Sequence, residues 1–261
     1  MESKHNFINL NGVNLAYKWI NTRAKNNTVI IFLHEGLGSI EQWKDYPEKL
    51  CKQTGHKGLI YERQGYGSSS PLNGKRDINY LHNYALKELP ALIEALEIKD
   101  DIILYGHSDG GSIALIYTSV FPDQIKGIIT EAAHVFVEDI TLKGIEPVVK
   151  EFEHKGLNEK LEKYHGEKTR EIFYAWADTW RTPPFINWNI EAELKDIFCP
   201  VLAIQGADDE FGTPLQLDSI ADNCSGFTEK ILLPDCRHIP HKQQTESVFR
   251  TASFFIRNIV A

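Results

Sequence analysis

Two hydrophobic rhythms alternate along this chain. Near the start, Phe7-Ile8-Asn9-Leu10 and Val13-Asn14-Leu15-Ala16-Tyr17-Lys18-Trp19 flank Asn11-Gly12. Asn-Gly between alternating runs favours the positive φ values of a tight turn, so an antiparallel hairpin is expected to open the fold. Val29-Ile30-Ile31-Phe32-Leu33 then reads differently, as a continuous apolar and β-branched run of the kind buried on both faces. Similar runs recur at 58–61, 102–105, 125–130, 201–205 and 230–233. Helical periodicity lies between them: Leu81, Ala85, Leu89, Leu92 and Leu96 form one stripe over about 78–96, and further helices are expected over 110–121 and 245–259. Doubly buried strands alternating with helices predict a three-layer α/β/α sandwich around a mostly parallel sheet.

One stretch breaks the rhythm. From His134 to Lys195 no buried strand is evident, and Phe173, Tyr174, Trp176, Trp180, Phe185 and Trp188 cluster around Pro183-Pro184. A helical cap over the sheet is expected for 134–195, dividing the core into 1–133 and 196–261. Sites in such sheets lie at the carboxyl ends of the strands, where insertions collect. The alternative is a set of extra helices packed on the sheet edge, since Trp and Phe are more often core than ligand contacts. At 261 residues and 42% hydrophobic content, the chain has material for one large core and this one insertion.

Composition narrows the partners. A formal net charge of -8 opposes nucleic acid and anionic membranes as partners, and no basic run offsets it. No apolar stretch approaches the roughly 20 residues of a membrane span. The start, Met1-Glu2-Ser3-Lys4-His5-Asn6, lacks the apolar stretch of a signal peptide. Cys51, Cys199, Cys224 and Cys236 are scattered without a Cys-x-x-Cys pair, which suits reduced thiols better than disulfides or a zinc site. A soluble, cytoplasmic protein acting on a small molecule is the expectation.

Candidate chemistry gathers at the strand ends. Gly106-His107-Ser108-Asp109-Gly110 follows one buried run and precedes a helical one, the context a Gly-x-Ser-x-Gly elbow requires. A serine in so sharp a turn needs neighbours without bulk, and the helix start beside it presents free N–H groups to a developing negative charge. A serine hydroxyl is a weak nucleophile and needs a base. His238 lies after the last strand and before the final helix, with His241 as the nearby rival in a structural role. The imidazole needs a carboxylate in turn. Asp208, Asp209 and Glu210 follow the strand at 201–205, and Glu131 ends another strand.

These motifs together resemble the capped, single-domain serine hydrolases of the α/β-hydrolase fold family, over essentially the whole chain. His34-Glu35-Gly36-Leu37-Gly38-Ser39 is similar to the family's oxyanion loop, which implies the backbone N–H groups of Gly36 and Asp109 as oxyanion donors. Glu62-Arg63-Gln64-Gly65-Tyr66-Gly67-Ser68 resembles its structural turn. Gly206 to Asp209 resembles its Gly-x-x-Asp motif and selects Asp209 as the acid. His238-Ile239-Pro240-His241 resembles its histidine motif and places His238 as the base. Three positions depart from the pattern. Glu35 replaces a glycine and either holds the loop by accepting backbone hydrogen bonds or contacts substrate. Arg237 replaces the glycine before the base. Asp109 either complements the helix dipole or meets an amino group of the substrate.

The resemblance implies a carboxylesterase-like serine hydrolase using Ser108, Asp209 and His238, with no metal or organic cofactor. Glu35, Trp176 and Trp180 are the expected substrate contacts, the tryptophans favouring an apolar or aromatic group. The same triad would serve a lactone, amide, thioester or carbon–carbon bond. A ligand-binding protein with a vestigial triad is the rival from another class.

Overall fold

The computed structural model describes residues 5–260, so the Met1 to Lys4 part of the leader reading lies outside them. Eight strands form one sheet: β1 (Asn6–Leu10), β2 (Val13–Ile20), β3 (Thr28–Leu33), β4 (Lys57–Tyr61), β5 (Asp101–His107), β6 (Ile125–Glu131), β7 (Val201–Gly206) and β8 (Thr228–Leu233). Their order is β1-β2-β4-β3-β5-β6-β7-β8. β2 runs against both neighbours, and every other pairing is parallel. The opening hairpin pairs Leu10 with Val13 across Asn11 (φ 51) and Gly12 (φ 92). Both turn residues have φ > 0, the geometry whose twist matches paired strands.

The central strands are continuous apolar runs because both faces are covered. α1 (Tyr46–Thr54) and α12 (Thr245–Ile259) pack on one face around Ile30, Phe32, Ile103, Ile129, Leu202 and Phe255. The opposite face carries α2 (Tyr80–Asn83), α3 (Leu89–Ala95), α4 (Asp109–Val120) and α10 (Leu215–Asn223) over Val29, Ile31, Leu104, Ile128 and Ala203. The helix expected over about 78–96 is interrupted: a π-helical turn, Tyr84–Glu88, joins α2 to α3. Pro90 stands in the first turn of α3 and lacks the N–H a continuous α-helix would use there, so a wider turn takes its place. β8 differs from the other apolar runs as well. It pairs only with β7, and Leu232 is 45% exposed, because this strand is the edge of the sheet.

Between β6 and β7 lie α5 (Asp139–His154), α6 (Leu157–His165), α7 (Thr169–Arg181), α8 (Pro183–Ile186) and α9 (Glu191–Leu194). This is a helical insertion in the position of a cap. A capping box between Glu138 and Thr141 starts α5. Most of the aromatic cluster joins the core that α2, α3 and α4 share with the sheet: Phe173 and Phe185 are fully buried, and Phe185 stacks on Trp188 at 5.5 Å. α11 (Pro240–Gln243) precedes α12. Among the described residues, no helix is long and apolar enough to cross a membrane.

Candidate active site

Because β3, β5, β6, β7 and β8 run parallel, their carboxyl ends and the loops that follow share one edge of the sheet. Ser108 links β5 to α4 with φ 52 and ψ −119, a backbone state that side chains rarely adopt. The two motif glycines make it feasible. A Cβ on Gly106 would lie 2.2 Å from the Gly110 carbonyl oxygen, and one on Gly110 would lie 2.0 Å from that of Leu33. The elbow is further tied to β6, where Ser108 N–H donates to the Glu131 carbonyl at 2.8 Å.

Three side chains from three strand ends meet there. His238 Nε2 lies 3.0 Å from Ser108 Oγ, and its Nδ1 lies 2.9 and 3.0 Å from the two Asp209 oxygens. With Nδ1–H donated to the carboxylate, Nε2 is left as the acceptor facing the hydroxyl. His107 Nε2–H donates to the His238 carbonyl at 2.7 Å and fixes that loop from below. Burial opposes protonation of His238, but the charge and hydrogen bond of Asp209 outweigh it and lift its pKa above the usual 6.5. Burial acts to raise Asp209, and the neighbouring His238 reverses this, so its carboxyl titrates below the usual range.

The other candidate acids go elsewhere. Asp208 is exposed. Glu131 is fully buried and bonds His241, with Oε2 accepting from its backbone N–H at 2.7 Å and its Nδ1–H at 3.0 Å. His241 thereby has the structural place the sequence suggested for it.

The loop after β3 is braced from several directions. The Glu35 carbonyl accepts from Arg63 Nη2 at 2.8 Å, His34 Nδ1 at 2.8 Å and Gly38 N–H at 3.1 Å. This is the same peptide group whose N–H belongs to Gly36, so these bonds set where that N–H points. Glu35 Oε2 accepts from Leu37 N–H at 2.9 Å, which is the loop-holding role. In the turn after β4, Glu62 bonds Ile40 N–H and Ser68 N–H at 3.0 and 2.6 Å and ties the two loops together.

A cavity of about 330 Å³ opens beside Ser108 under the insertion. Glu35, Gly36, Asp109, Trp176 and Trp180 line it, so the expected substrate contacts border one cavity. Glu210, Phe211 and Arg237 also line it, and Arg237 pairs with Glu210 at 2.7 Å. Asp109 is 1% exposed. One of its oxygens, Oδ2, accepts from Tyr80 Oη at 2.8 Å, while the buried Oδ1 has no partner. Burial raises its pKa, with Arg63, Tyr80 and Arg76 pulling the other way. His134 also lines the cavity, donating Nε2–H to the Phe211 carbonyl at 3.0 Å and leaving Nδ1 as a buried acceptor without a partner. Sequence reasoning missed Tyr80 and His134. His134, three residues beyond the end of β6, stood at a strand's carboxyl edge and was open to recognition; Tyr80 lies on a helix far from any motif.

Residues 28–153 match the family model described as alpha/beta hydrolase fold. A proline iminopeptidase of Lactobacillus delbrueckii subsp. bulgaricus is 25% identical over 85% of this chain and 87% of its own length. A human protein named serine hydrolase BPHL is 26% identical over 96% of this chain and 85% of its own. Among solved structures, the enol-lactonase from Burkholderia xenovorans LB400 superposes with a TM-score of 0.76 at 18% identity, covering 96% of this chain and 99% of that one.

Proposed function

The chain belongs to the α/β-hydrolase fold family, and we propose that it hydrolyses small carboxylic esters and related acyl bonds through an acyl-enzyme on Ser108. The observation that carries this reading is the unbroken series Asp209, His238, Ser108 at hydrogen-bond distance, opening on a cavity. His238 takes the Ser108 proton as the oxygen attacks the acyl carbon. The N–H groups of Gly36 and Asp109 hold the oxyanion, Asp109 being the first residue of α4 and so without a helical acceptor. His238 then hands its proton to the leaving group, and water activated by the same base releases the acid.

The acyl group is the finer part of the proposal. A buried carboxylate oxygen without a partner is costly, and a ligand that donates to it relieves that cost. Asp109 Oδ1 therefore favours an acyl group carrying a protonated amine, with His134 Nδ1 as a second unpartnered acceptor on a residue of the same lining. The full-length relatives named proline iminopeptidases point the same way and bring amides into range beside esters.

Hydrolysis of p-nitrophenyl esters from acetate to octanoate, with Ser108→Ala beside the wild type, tests the mechanism. Turnover should fall by at least about 10⁴-fold in the variant. Ser108→Ala turning over at the wild-type rate would end the reading. The p-nitrophenyl esters of butyrate and 2-aminobutyrate differ by one amino group and test the acyl pocket. The wild type should favour the amine, and Asp109→Asn should cut that preference about 10- to 100-fold, the worth of a charged hydrogen bond. An unchanged preference would clear Asp109 of the role.

A further inference from the structure

Asp109 does not stand alone in the wall of the cavity. Tyr80, at the start of α2, donates its hydroxyl hydrogen to Asp109 Oδ2 at 2.8 Å. The same hydroxyl accepts from Trp180 Nε1–H, on α7 of the insertion, at 2.7 Å. All three side chains are buried: Trp180 is 2% exposed, Tyr80 3% and Asp109 1%. An indole N–H can only donate and an ionised carboxylate can only accept, so the hydroxyl between them has one possible direction. The Tyr80 ring is itself fixed, tilted on Phe185 at 5.7 Å and covered by the Arg76 guanidinium at 4.6 Å.

This relay takes one carboxylate oxygen and leaves the other buried without a hydrogen-bond partner. Tyr80 occupies Oδ2 on the side of the Gly36 loop, where a Cβ on Gly36 would lie 3.4 Å from that oxygen. Oδ1 remains without a partner, on a residue that lines the cavity. Without the hydroxyl, the carboxylate would be free to rotate about its χ2, a broad torsion for an aspartate. Tyr80 itself is not part of the cavity lining.

We propose that Tyr80, oriented by Trp180 of the insertion, is a positioning residue that aims Asp109 Oδ1 at the acyl group and so sets specificity without touching the substrate. The inference rests on the amine reading of Asp109. It adds that the insertion selects the acyl group through a core tyrosine as well as through its own cavity walls.

The test is a double-mutant cycle on Tyr80→Phe and Asp109→Asn, read with p-nitrophenyl butyrate and 2-aminobutyrate and normalised to active sites titrated with a fluorophosphonate. Phenylalanine keeps the ring and removes only the hydroxyl. Tyr80→Phe should lower the amine preference about tenfold, through KM more than kcat, and leave kcat/KM for butyrate within about twofold. In the Asp109→Asn background the same change should have no further effect on the preference, because the two residues act as one unit. Equal losses on both esters, or a preference that Tyr80→Phe leaves intact, would overturn the positioning role while the amine reading stood. A wild type with no amine preference would overturn both, with Ser108-dependent turnover of butyrate still supporting the hydrolase.

Discussion

Two carboxylate–histidine pairs sit side by side at the carboxyl edge of the sheet, and they are nearly the same object. Asp209 and His238 meet at 2.9 Å through Nδ1, and Glu131 and His241 meet at 3.0 Å through Nδ1. Both carboxylates are buried, and both titrate below their usual range because an imidazole faces them. The difference lies on the far side of the ring. His238 Nε2 points at Ser108 and lines the cavity, whereas the His241 ring is stacked on Trp43 at 4.8 Å. An acid–histidine pair is therefore no mark of catalysis in itself. What sets the first pair apart is a serine hydroxyl within hydrogen-bond reach and a cavity beside it, where the second has an aromatic ring.

The comparison breaks or stands first on Asp209→Asn. Asparagine keeps the shape but no longer fixes the imidazole with Nε2 as acceptor, and kcat should fall by about 10³- to 10⁴-fold. The pH profile carries a second signature. His238 must be neutral to act as base, and Asp209 raises its pKa above 6.5, so wild-type kcat/KM should rise with pH through a midpoint above that value. Removing the Asp209 charge removes the main upward influence, and the residual activity of the variant should have its acid limb at lower pH. A loss of less than tenfold with an unmoved midpoint would mean that His238 takes its charge partner from elsewhere.

Which pair lies beside the serine could be read from the chain, because the relevant order is local. Gly106 to Gly110 sits between a strand and a helix, and His238 sits between the last strand and the last helix. Choosing Asp209 over Asp208 took the resemblance, since both follow β7 and only burial and direction separate them. The edge position of β8 was hidden because Ile231-Leu232-Leu233 is as apolar as a central run; where a sheet ends is a property of neighbours. The insertion was visible as a block, but Trp176 and Trp180 share one stripe of α7. Trp176 meets the Gly36 loop, and Trp180 reaches across to Tyr80, a contact between residues 100 positions apart that no spacing announces.

Glu131→Gln sharpens the comparison from the other side, with the smaller expected effect on turnover. Activity per folded molecule should stay within about threefold of wild type, since neither the Glu131 side chain nor His241 bonds the Ser108 hydroxyl or lines the cavity, and the pH midpoint set by His238 should not move. Stability should change instead. Glu131 accepts from Tyr105 Oη and twice from His241, and neutralising one member of a buried pair costs about 3 kcal/mol, the lower end of the usual range, because glutamine keeps the shape. The pH dependence has a definite sign. Burial alone would raise the Glu131 pKa, but His241, His107 and Tyr105 bring it below 4.5. Its contribution is then complete above the unfolded-state value and disappears as pH falls through the lower folded-state value. Urea unfolding at pH 7 should therefore separate the two proteins by that amount, and the gap should close in acid, below about pH 4.5. A constant gap across that range would mean that the charge of Glu131 is not what holds His241. A collapse of activity per folded molecule would make the second pair part of the machinery after all.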